Sequence, residues 1–380
     1  MSKIERIETT VLDIPTIRGH VLSMTTMTAQ SIVLVRIRFS DGSVGLGEGT
    51  SIGGMSYGPE SPESIKVAID AYIAPLLEGR DGNDVNGAVA LVEKAVRGNP
   101  IARCAVEIAL WDGLGKRLGV PVSQLFGGAV RRAMPVAWTL ASGHSETDIA
   151  EAEKMLATRR HNIFKLKIGK RRVREDLAHV AAIADAVGDR ASIRVDVNQA
   201  WSLTEARQGL AGLAAIGVDL AEQPIRTGSL AALRALTERT GVAIMADEQL
   251  NGPADALAVA AERAADVFAV KIGQSGGLKR ASEVVAIGEA AGIGLYGGTM
   301  LEAGVSTAAA LQLFATVAHL DWGTELFGPL LMTDEILAEP IIYRDFSVHL
   351  PEGPGIGVEL DEDKVAFHRR DRARTLQAVV

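Results

Sequence analysis

Charged residues recur at a nearly constant interval through the middle of this chain, and each follows a short apolar segment with the pattern of a β-strand. They are Lys167, Asp196, Glu222, Asp247 and Lys271. Successive members are about 25 residues apart, which is the length of one strand, one helix and two short loops. This period predicts a β/α barrel. Because the carboxyl ends of barrel strands converge on one mouth, these side chains are expected to share a pocket.

The alternation within two of these segments predicts which side chains point into the barrel. In residues 164–168 the apolar side chains alternate with Lys165 and Lys167, so both lysines should face inward. In the next segment the same alternation turns Arg194, Asp196 and Asn198 inward. Buried charge is costly unless it is paired, so these residues call for a functional explanation.

Three carboxylates in one pocket predict a metal ion. Asp196, Glu222 and Asp247 would raise one another's pKa if they stayed unpaired, because like charges repel. A divalent cation removes this conflict, and ligation by oxygen alone favours a hard ion, Mg²⁺ or Mn²⁺. The alternative is structural, with each acid capping the following helix or pairing with an arginine. Three acids at the barrel period, with lysines on both sides, favour the metal.

The lysines predict proton transfer. Lys165 and Lys167 would lie about 6.6 Å apart on one strand face, given a rise of roughly 3.3 Å per residue. Their repulsion, about 2.5 kcal/mol at an effective dielectric of about 20, should lower the pKa of at least one of them toward neutrality. Lys271 comes from a strand across the barrel and should face Lys167. Two lysines that carry protons beside a metal cation would suit a reaction in which an enolate forms next to a carboxylate. The alternative is that these lysines are solvated side chains at the rim of the barrel.

Composition excludes several classes of protein. With 380 residues, 47% of them hydrophobic, the chain can bury a large core and is expected to form two domains. A formal charge of -8 argues against nucleic acid or an anionic membrane as the main partner, but it is compatible with a small anionic substrate. Cys104 is the single cysteine, and no apolar run has the length of a membrane span, so a cytoplasmic location is expected.

The first part of the chain has a mixed pattern that differs from the barrel period. Residues 31–39 alternate, Asp41-Gly42 follows, and a second run covers residues 44–47, which is typical of a β-hairpin. A glycine-rich segment at 52–58 lacks a phosphate-loop lysine and is interpreted as a flap. We expect an α+β domain over residues 1–130, joined by the C-terminal segment 343–380. The barrel domain is expected over residues 131–342.

The barrel strands can be placed on the sequence. They are predicted at 135–140, 163–168, 192–197, 218–222, 242–247, 267–272 and 292–296, with an eighth near 319–322. Two helix starts are marked by capping-box spacing, Ser145 with Asp148 and Ser202 with Glu205.

These motifs resemble the enolase superfamily and, within it, the muconate lactonizing group. The similarity covers essentially the whole chain. It rests on residues 164–169, 194–199, 222–224, 245–248, 295–302 and 323–330, together with a helical signature over 102–128. The resemblance implies an α/β fold, a modified (β/α)₇β barrel of the TIM type under an α+β capping domain, assembled as a homo-octamer.

The resemblance also implies an activity. One Mn²⁺ or Mg²⁺ ion would be bound by Asp196, Glu222 and Asp247. The reaction would be the reversible cycloisomerisation of cis,cis-muconate, a small dicarboxylate, to muconolactone through an enolate, a step in bacterial catechol breakdown.

Roles for further residues follow from the same resemblance. Lys167 would protonate the substrate carbon, and Glu325 would be the residue with an acid role. Lys271 would stand on the opposite face of the substrate. Lys165 would polarise the carboxylate and tune Lys167.

Specificity is expected from the capping loop and the last barrel loop. Ile52, Tyr57 and Phe327 match residue types of muconate rather than chloromuconate enzymes, although each could equally serve in packing. Asn198 is predicted to contact the substrate with them. Gln274 is a departure, because muconate enzymes usually have a lysine there, so the identity of the substrate is left open at this point.

Other functions fit the same residues. A chloromuconate cycloisomerase would share every catalytic residue. An N-acylamino acid racemase or dipeptide epimerase would use the same two lysines for 1,1-proton transfer. A barrel kept as a scaffold or sensor is the non-enzymatic alternative.

Overall fold

The computed structural model describes residues 2–23 and 25–371. It begins with an antiparallel sheet of β1 (Ile4–Val21), β2 (Thr26–Phe39) and β3 (Val44–Thr50), in that order. The predicted hairpin is confirmed, since β2 pairs with β3 across the turn that contains Asp41 and Gly42. The first strand pairs with β2 along most of its length.

Helices follow the sheet and cover one of its faces. They are α1 (Pro62–Val67), a π-helical segment (Ala68–Ile73), α2 (Ala74–Leu77), α3 (Val85–Ala95), α4 (Pro100–Leu118) and α5 (Val122–Leu125). Close packing of α4 on β3 requires glycine in the strand. A Cβ on Gly45 would lie 2.0 Å from the carbonyl oxygen of Ala109, and one on Gly47 would lie 1.9 Å from that of Ala105.

A short strand, β4 (Ala133–Pro135), precedes the barrel. Among the described residues, seven parallel strands then form one sheet, ordered from the last strand to the first. They are β5 (Trp138–Leu140), β6 (Ile163–Lys167), β7 (Ser192–Asp196), β8 (Leu220–Glu222), β9 (Ala243–Ala246), β10 (Val267–Val270) and β11 (Gly294–Gly297). Together with the helices between the strands, this sheet confirms the predicted modified TIM-like barrel.

The barrel closes at a different place from the one predicted. No strand forms at 319–322. Instead, Thr324 makes parallel bridges to both Gly297 and Val136, which joins β11 to the start of the first barrel strand. The reason is local, because Gly323 has a φ of 69° and the chain becomes extended only after this turn. The segment predicted at 135–140 is likewise divided between β4, in another sheet, and β5.

The helices of this part pack outside the strands or cap the mouth. They are α6 (Ser145–Ala157), α7 (Val173–Val187), a 3₁₀ turn (Gly188–Arg190), α8 (Leu203–Ile216), α9 (Leu230–Thr237), α10 (Pro253–Glu262), α11 (Ile272–Ser275), α12 (Leu278–Ala291), α13 (Gly304–Phe314) and α14 (Gly328–Leu331). The Ser202 capping box is confirmed. The Ser145 box is wrong, because His144 is the N-cap and the Ser145 hydroxyl instead contacts Nδ1 of His179 at 2.7 Å.

The C-terminal segment returns to the start of the chain. β12 (Tyr343–Arg344) and β13 (Ser347–His349) form a small sheet with β4, and α15 (Glu362–His368) packs near β1. The domain limits at residues 130 and 343 stay predictions. Residues 372–380 of the predicted C-terminal segment lie outside the described residues. Within the described residues, none of the helices combines the length and the hydropathy that spanning a bilayer requires.

Buried polar side chains tie the first sheet to the barrel mouth. Glu48 of β3 accepts hydrogen bonds from the backbone N–H groups of Ala303 (2.7 Å) and Ser306 (2.9 Å), at the start of α13. The amide of Gln30 donates to the carbonyls of Met300 (3.1 Å) and Leu301 (2.9 Å). These contacts place the first sheet over the loop that follows β11.

A second tie joins α4 to α12. The Glu107 carboxylate accepts a hydrogen bond from the backbone N–H of Lys279 (2.9 Å), at the start of α12. Gly277 leaves room for this carboxylate, since its φ is 138° and a Cβ there would lie 1.4 Å from Oε2 of Glu107.

Gly277→Ala should therefore lower the free energy of unfolding by more than about 2 kcal/mol, measured by urea denaturation.

The matched control is Gly241→Ala. A Cβ on Gly241 would meet no atom within 4 Å, and its φ is not in the left-handed region. This variant should be neutral or more stable by up to about 1 kcal/mol. Equal urea midpoints for the two variants would contradict the role given to Gly277.

Candidate active site

The strand register brings the predicted acids and lysines to one end of the barrel. Lys167 is paired with Asp196 in the register of β6 and β7, and Asp196 is paired with Glu222 in that of β7 and β8. Asp247 directly follows β9, and Lys271 directly follows β10. All five therefore lie at the carboxyl ends of neighbouring strands, as the sequence predicts.

Lys165 lies at the centre of the site, with its side chain 2% exposed. Its ammonium donates to Oε2 of Glu222 at 2.6 Å and to Oε2 of Glu325. It also lies 3.8 Å from Oδ2 of Asp196. The predicted inward orientation of Lys165 is therefore confirmed, and its ammonium lies among the carboxylates of Asp196, Glu222 and Glu325.

Lys167 stands closer to solvent on the same strand face. Its ammonium donates to Oδ2 of Asp196 at 2.5 Å and to the amide oxygen of Asn198 at 3.3 Å. The backbone N–H of Asn198 donates to the other oxygen of Asp196 at 2.8 Å. Both oxygens of Asp196 are thus engaged, and Asn198 helps to hold Lys167.

Lys271 forms the corresponding contact on the other side. Its ammonium lies 2.7 Å from each carboxylate oxygen of Asp247. It also donates to the Tyr57 hydroxyl at 2.8 Å, and this hydroxyl donates to Oδ2 of Asp247 at 2.7 Å. Tyr57 therefore brings the glycine-rich segment down onto the barrel mouth.

Glu325 follows the closing bridge at Thr324, and Thr139 holds it in place. The Thr139 hydroxyl donates to Oε1 of Glu325 at 2.8 Å, while Lys165 occupies Oε2. Sequence reasoning missed Thr139. The signal was its place in a strand at the position that pairs with Lys165 in the register of β5 and β6.

Glu248 is a second residue that sequence reasoning did not assign. It accepts a hydrogen bond from the Asn198 amide at 3.3 Å, and its side chain faces the same pocket as Tyr57. Burial and the neighbouring Asp247 and Asp196 carboxylates raise the pKa of Glu248 to about 8. This environment favours the neutral form of the Glu248 carboxyl.

The pKa values of the lysines differ from the expectation. Burial opposes the charged form of Lys165, but Glu222 and Glu325 outweigh it and raise the Lys165 pKa well above its usual value. For Lys271, burial is likewise outweighed by Asp247 and Glu222, and the pKa is raised. The lowering predicted for at least one of Lys165 and Lys167 is therefore wrong for Lys165, because the Glu222 and Glu325 carboxylates lie within hydrogen-bond distance of its ammonium.

The backbone around the mouth is strained. Asn198 (φ 44°), Gln199 (φ 66°), Gln223 (φ 34°) and Leu301 (φ 61°) all occupy the left-handed region. For residues other than glycine this conformation costs of order 1–3 kcal/mol each. The strain falls in the loops that carry or flank the acids, where it fixes the direction of their side chains.

A cavity of about 240 Å³ opens beside the lysines and acids. Its lining within the described residues includes Tyr57, Glu248 and Gln274 but not Ile52, Asn198 or Phe327.

The four predicted substrate contacts occupy different layers of the site. Tyr57 faces the cavity, and Asn198 lies behind it against Lys167. Ile52 is buried in the core, and Phe327 packs against Trp138 with ring centroids 4.9 Å apart.

The donor set of the site fits a hard divalent cation. Burial and the Asp196 carboxylate raise the pKa of Glu222 well above its usual value, which shows the conflict between acids that a cation relieves. Oδ1 of Asp247 lies 2.7 Å from the Lys271 ammonium but forms no hydrogen bond of suitable geometry within the described residues. No three His, Cys, Asp or Glu side chains in that part of the chain are already arranged as a metal cage, because the lysines pair with the acids.

A (β/α)₇β barrel with oxygen donors and lysines at its mouth, covered by an α+β sheet and helices, defines an acid–base enzyme of the enolase type. Residues 6–127 match the family model of the mandelate racemase / muconate lactonizing enzyme N-terminal domain. Residues 147–364 match the enolase C-terminal domain-like family. The chain belongs to the mandelate racemase / muconate lactonizing enzyme family of the enolase superfamily.

Similar proteins cover nearly the whole chain. Muconate cycloisomerase 1-2 of Acinetobacter lwoffii is 57% identical over 369 residues, 97% of this chain and 96% of that protein. The crystal structure of a muconate lactonizing enzyme from Pseudomonas fluorescens, complexed with muconolactone, gives a TM-score of 0.96 at 54% identity, covering 97% of this chain and 100% of that one. A chloromuconate cycloisomerase from Cupriavidus necator is 47% identical over 97% of this chain and 99% of its own length.

The central ion network can be tested by removing its cation. Lys165→Met keeps a side chain of similar length but leaves Glu222 and Glu325 buried without their shared ammonium. In protein without added metal it should lower the free energy of unfolding by about 3–5 kcal/mol, measured by urea denaturation. The control is Lys279→Met at a side chain that is 50% exposed, for which the change should stay within about 0.5 kcal/mol. Equal stability of both variants would refute the network.

Proposed function

We propose that this chain is a muconate cycloisomerase that converts cis,cis-muconate reversibly to muconolactone in catechol breakdown. One observation carries the proposal. Lys167 and Lys271 each pair with a carboxylate on different strands around one cluster of acids. This arrangement supplies proton carriers on two sides of a substrate, and the family relationship gives the substrate its class.

The metal ligands in this proposal are Asp196, Glu222 and Asp247, and the ion is Mn²⁺ or Mg²⁺. When bound, such an ion would stabilise the negative charge that develops on the oxygens of a substrate carboxylate. The three acids are suited to it because they are buried at neighbouring strand ends and supply only oxygen donors.

Lys167 is the proton donor to carbon in the lactone-forming direction. One substrate carboxylate forms a C–O bond to the conjugated diene, and the electrons shift toward the second carboxylate. Lys167 then donates its proton to the carbon next to that second group. Its position supports this role, because Asp196 and Asn198 hold the ammonium at the wall of the barrel mouth rather than deep inside.

The other two lysines have different roles. Lys271 stands across the cluster, held by Asp247 and Tyr57, and serves the opposite face of the substrate. Lys165 is held by Glu222 and Glu325, so it stays in place, where it polarises the substrate carboxylate and tunes Lys167. Glu325 has the acid role, with Thr139 and Lys165 fixing its orientation.

Gln274 shapes the substrate pocket without adding charge. Its amide N–H groups donate to the backbone carbonyls of Asp247 (2.6 Å) and Leu250 (3.0 Å). Its amide oxygen lies 3.3 Å from the Tyr57 hydroxyl, whose proton is directed at the closer Asp247 carboxylate. In this proposal Gln274 positions Tyr57 over Asp247, and muconate is preferred to chloromuconate.

We also propose that the enzyme is a homo-octamer in the cytoplasm, without a nucleic acid or membrane partner. The α+β capping domain of residues 1–130, completed by 343–380, covers the barrel domain of residues 131–342.

Turnover of muconate is the direct test. The parent protein with Mn²⁺ should remove the ultraviolet absorbance of cis,cis-muconate. Lys167→Ala should lower kcat by about 10²- to 10⁴-fold, because the proton donor is lost. Lys170→Ala, at an exposed lysine in the loop after β6, should match the parent.

Three results would contradict this assignment. Unchanged absorbance with the parent would exclude muconate. Faster turnover of 2-chloromuconate with chloride release would favour the chloromuconate enzyme. Deuterium exchange from solvent into an N-succinyl amino acid, without muconate turnover, would favour a racemase or epimerase.

Metal binding is tested separately by thermal unfolding. A ligand that binds only the folded state at about 100 times its Kd adds about 2.7 kcal/mol of stability. Mn²⁺ or Mg²⁺ should therefore raise the Tm of protein treated with EDTA, and Glu222→Gln should remove most of that rise. Glu238→Gln, at a side chain that is 64% exposed, should keep it. An equal rise in both variants would exclude Glu222 as a ligand.

A further inference from the structure

A buried histidine faces the site and has no part in the reaction described above. His20 lies near the end of β1 and is 0% exposed. Neither ring nitrogen has a hydrogen-bond partner within residues 2–23 and 25–371. An unsatisfied buried polar group costs about 1–3 kcal/mol, so its presence calls for an explanation.

The alternation along β1 sets the direction of this ring. Ile17 and Gly19 are exposed, whereas Arg18 and His20 point to the opposite side of the strand. The Arg18 guanidinium reaches the barrel and donates to the carbonyl of Thr139 at 2.8 Å. His20 follows Arg18 by two residues and therefore also points toward the barrel.

Two further contacts hold this part of the chain across the barrel mouth. The backbone N–H of Val21 donates to the carbonyl of Ala141 at 3.1 Å, just beyond β5. The Ser23 hydroxyl donates to the carbonyl of Asn198 at 3.4 Å, just beyond β7. His20 lies between these attachments and Arg18, so its ring is placed above the strand that carries Lys165 and Lys167.

The charges around His20 suit an anionic ligand. Burial and the nearby Lys167, Arg18 and Lys165 cations lower the pKa of His20 well below its usual value. The ring is therefore neutral near pH 7, with one N–H donor and one acceptor nitrogen. Because the ring is neutral, it can donate a hydrogen bond to a carboxylate without adding to the repulsion among the nearby cations.

We propose that His20 binds substrate, with its ring N–H donating to the carboxylate that lies away from the Asp196, Glu222 and Asp247 cluster. This inference rests on the proposed function. The acids are at the strand ends, whereas His20 approaches from the first sheet, so the two sites hold opposite ends of one ligand. His20 thereby selects a dicarboxylate.

The test compares three substitutions in the full-length protein with Mn²⁺ and cis,cis-muconate. His20→Leu removes the donor at similar volume. His20→Gln places an amide N–H near the position of Nε2, and His20→Asn places one near that of Nδ1. We expect His20→Leu to lower kcat/KM about 10- to 100-fold, mainly through a higher KM, because a hydrogen bond to a charged group is lost. At least one amide variant should recover part of this loss.

Stability distinguishes this role from a structural one. Because His20→Leu removes an unpaired polar group, its Tm without substrate should be equal to or higher than that of the parent. The control is His161→Leu, at a buried histidine that contacts the carbonyl of Val136 at 3.0 Å. That variant should lower the Tm and leave KM unchanged.

The outcomes separate the two proposals. A parent enzyme that does not convert muconate overturns both. An active parent with the KM of His20→Leu unchanged overturns only the role of His20. A lower Tm for His20→Leu with an unchanged KM, as expected for His161→Leu, overturns it as well.

Discussion

The ammonium of Lys165 is the contact on which the rest of the site depends. Its two partners come from distant parts of the barrel: Glu222 ends β8, the second strand after that of Lys165, and Glu325 follows the closing bridge at Thr324. All three side chains are almost fully buried. The penalty for burying each ion is several kcal/mol, so the carboxylates are tolerable only in direct contact with a cation. Lys167 and Lys271 repeat this arrangement at Asp196 and Asp247, which makes the mouth a connected network of paired charges.

This network needs support from outside the strands. The left-handed backbone at Asn198, Gln199 and Gln223 is strained and persists only where surrounding contacts determine it. The first sheet supplies such contacts, through Glu48 and Gln30 to the loop after β11 and through the end of β1 to the loops after β5 and β7. The first sheet is therefore a structural part of the site, because it contacts the loops that carry the site residues.

Much of this architecture could be predicted from the sequence. The interval between Lys167 and Lys271 gave the barrel, and strand alternation gave the inward lysines, because both depend on local geometry. The closing strand was misplaced because Gly323 sets a turn that hydrophobic pattern does not reveal. Ser145 was misassigned for a similar reason, since its hydroxyl has a partner on another helix.

The parts that sequence could not supply depend on contacts between distant segments. The repulsion between Lys165 and Lys167 was visible on one strand, but the carboxylates that reverse its effect on the Lys165 pKa lie on other strands. Thr139 and His20 carry no motif, and their places depend on how β5 and β1 approach the mouth. The direction of a pKa shift is thus a tertiary property, even where every charged residue is known.

The charge balance of the site explains how an acidic protein can accept a dianion. Acidic and basic side chains line the site in equal number, with Asp196, Glu222, Asp247 and Glu325 against Lys165, Lys167, Lys271 and Arg194, and all of them except Lys167 are buried. The pKa shifts of Glu248, raised to about 8, and of His20, lowered well below its usual value, both favour the neutral form. A divalent cation alone would leave this low-dielectric space with two excess positive charges, which a substrate with two carboxylates cancels. The cation and a dicarboxylate therefore favour each other's binding, because each neutralises the excess charge that the other brings into the site.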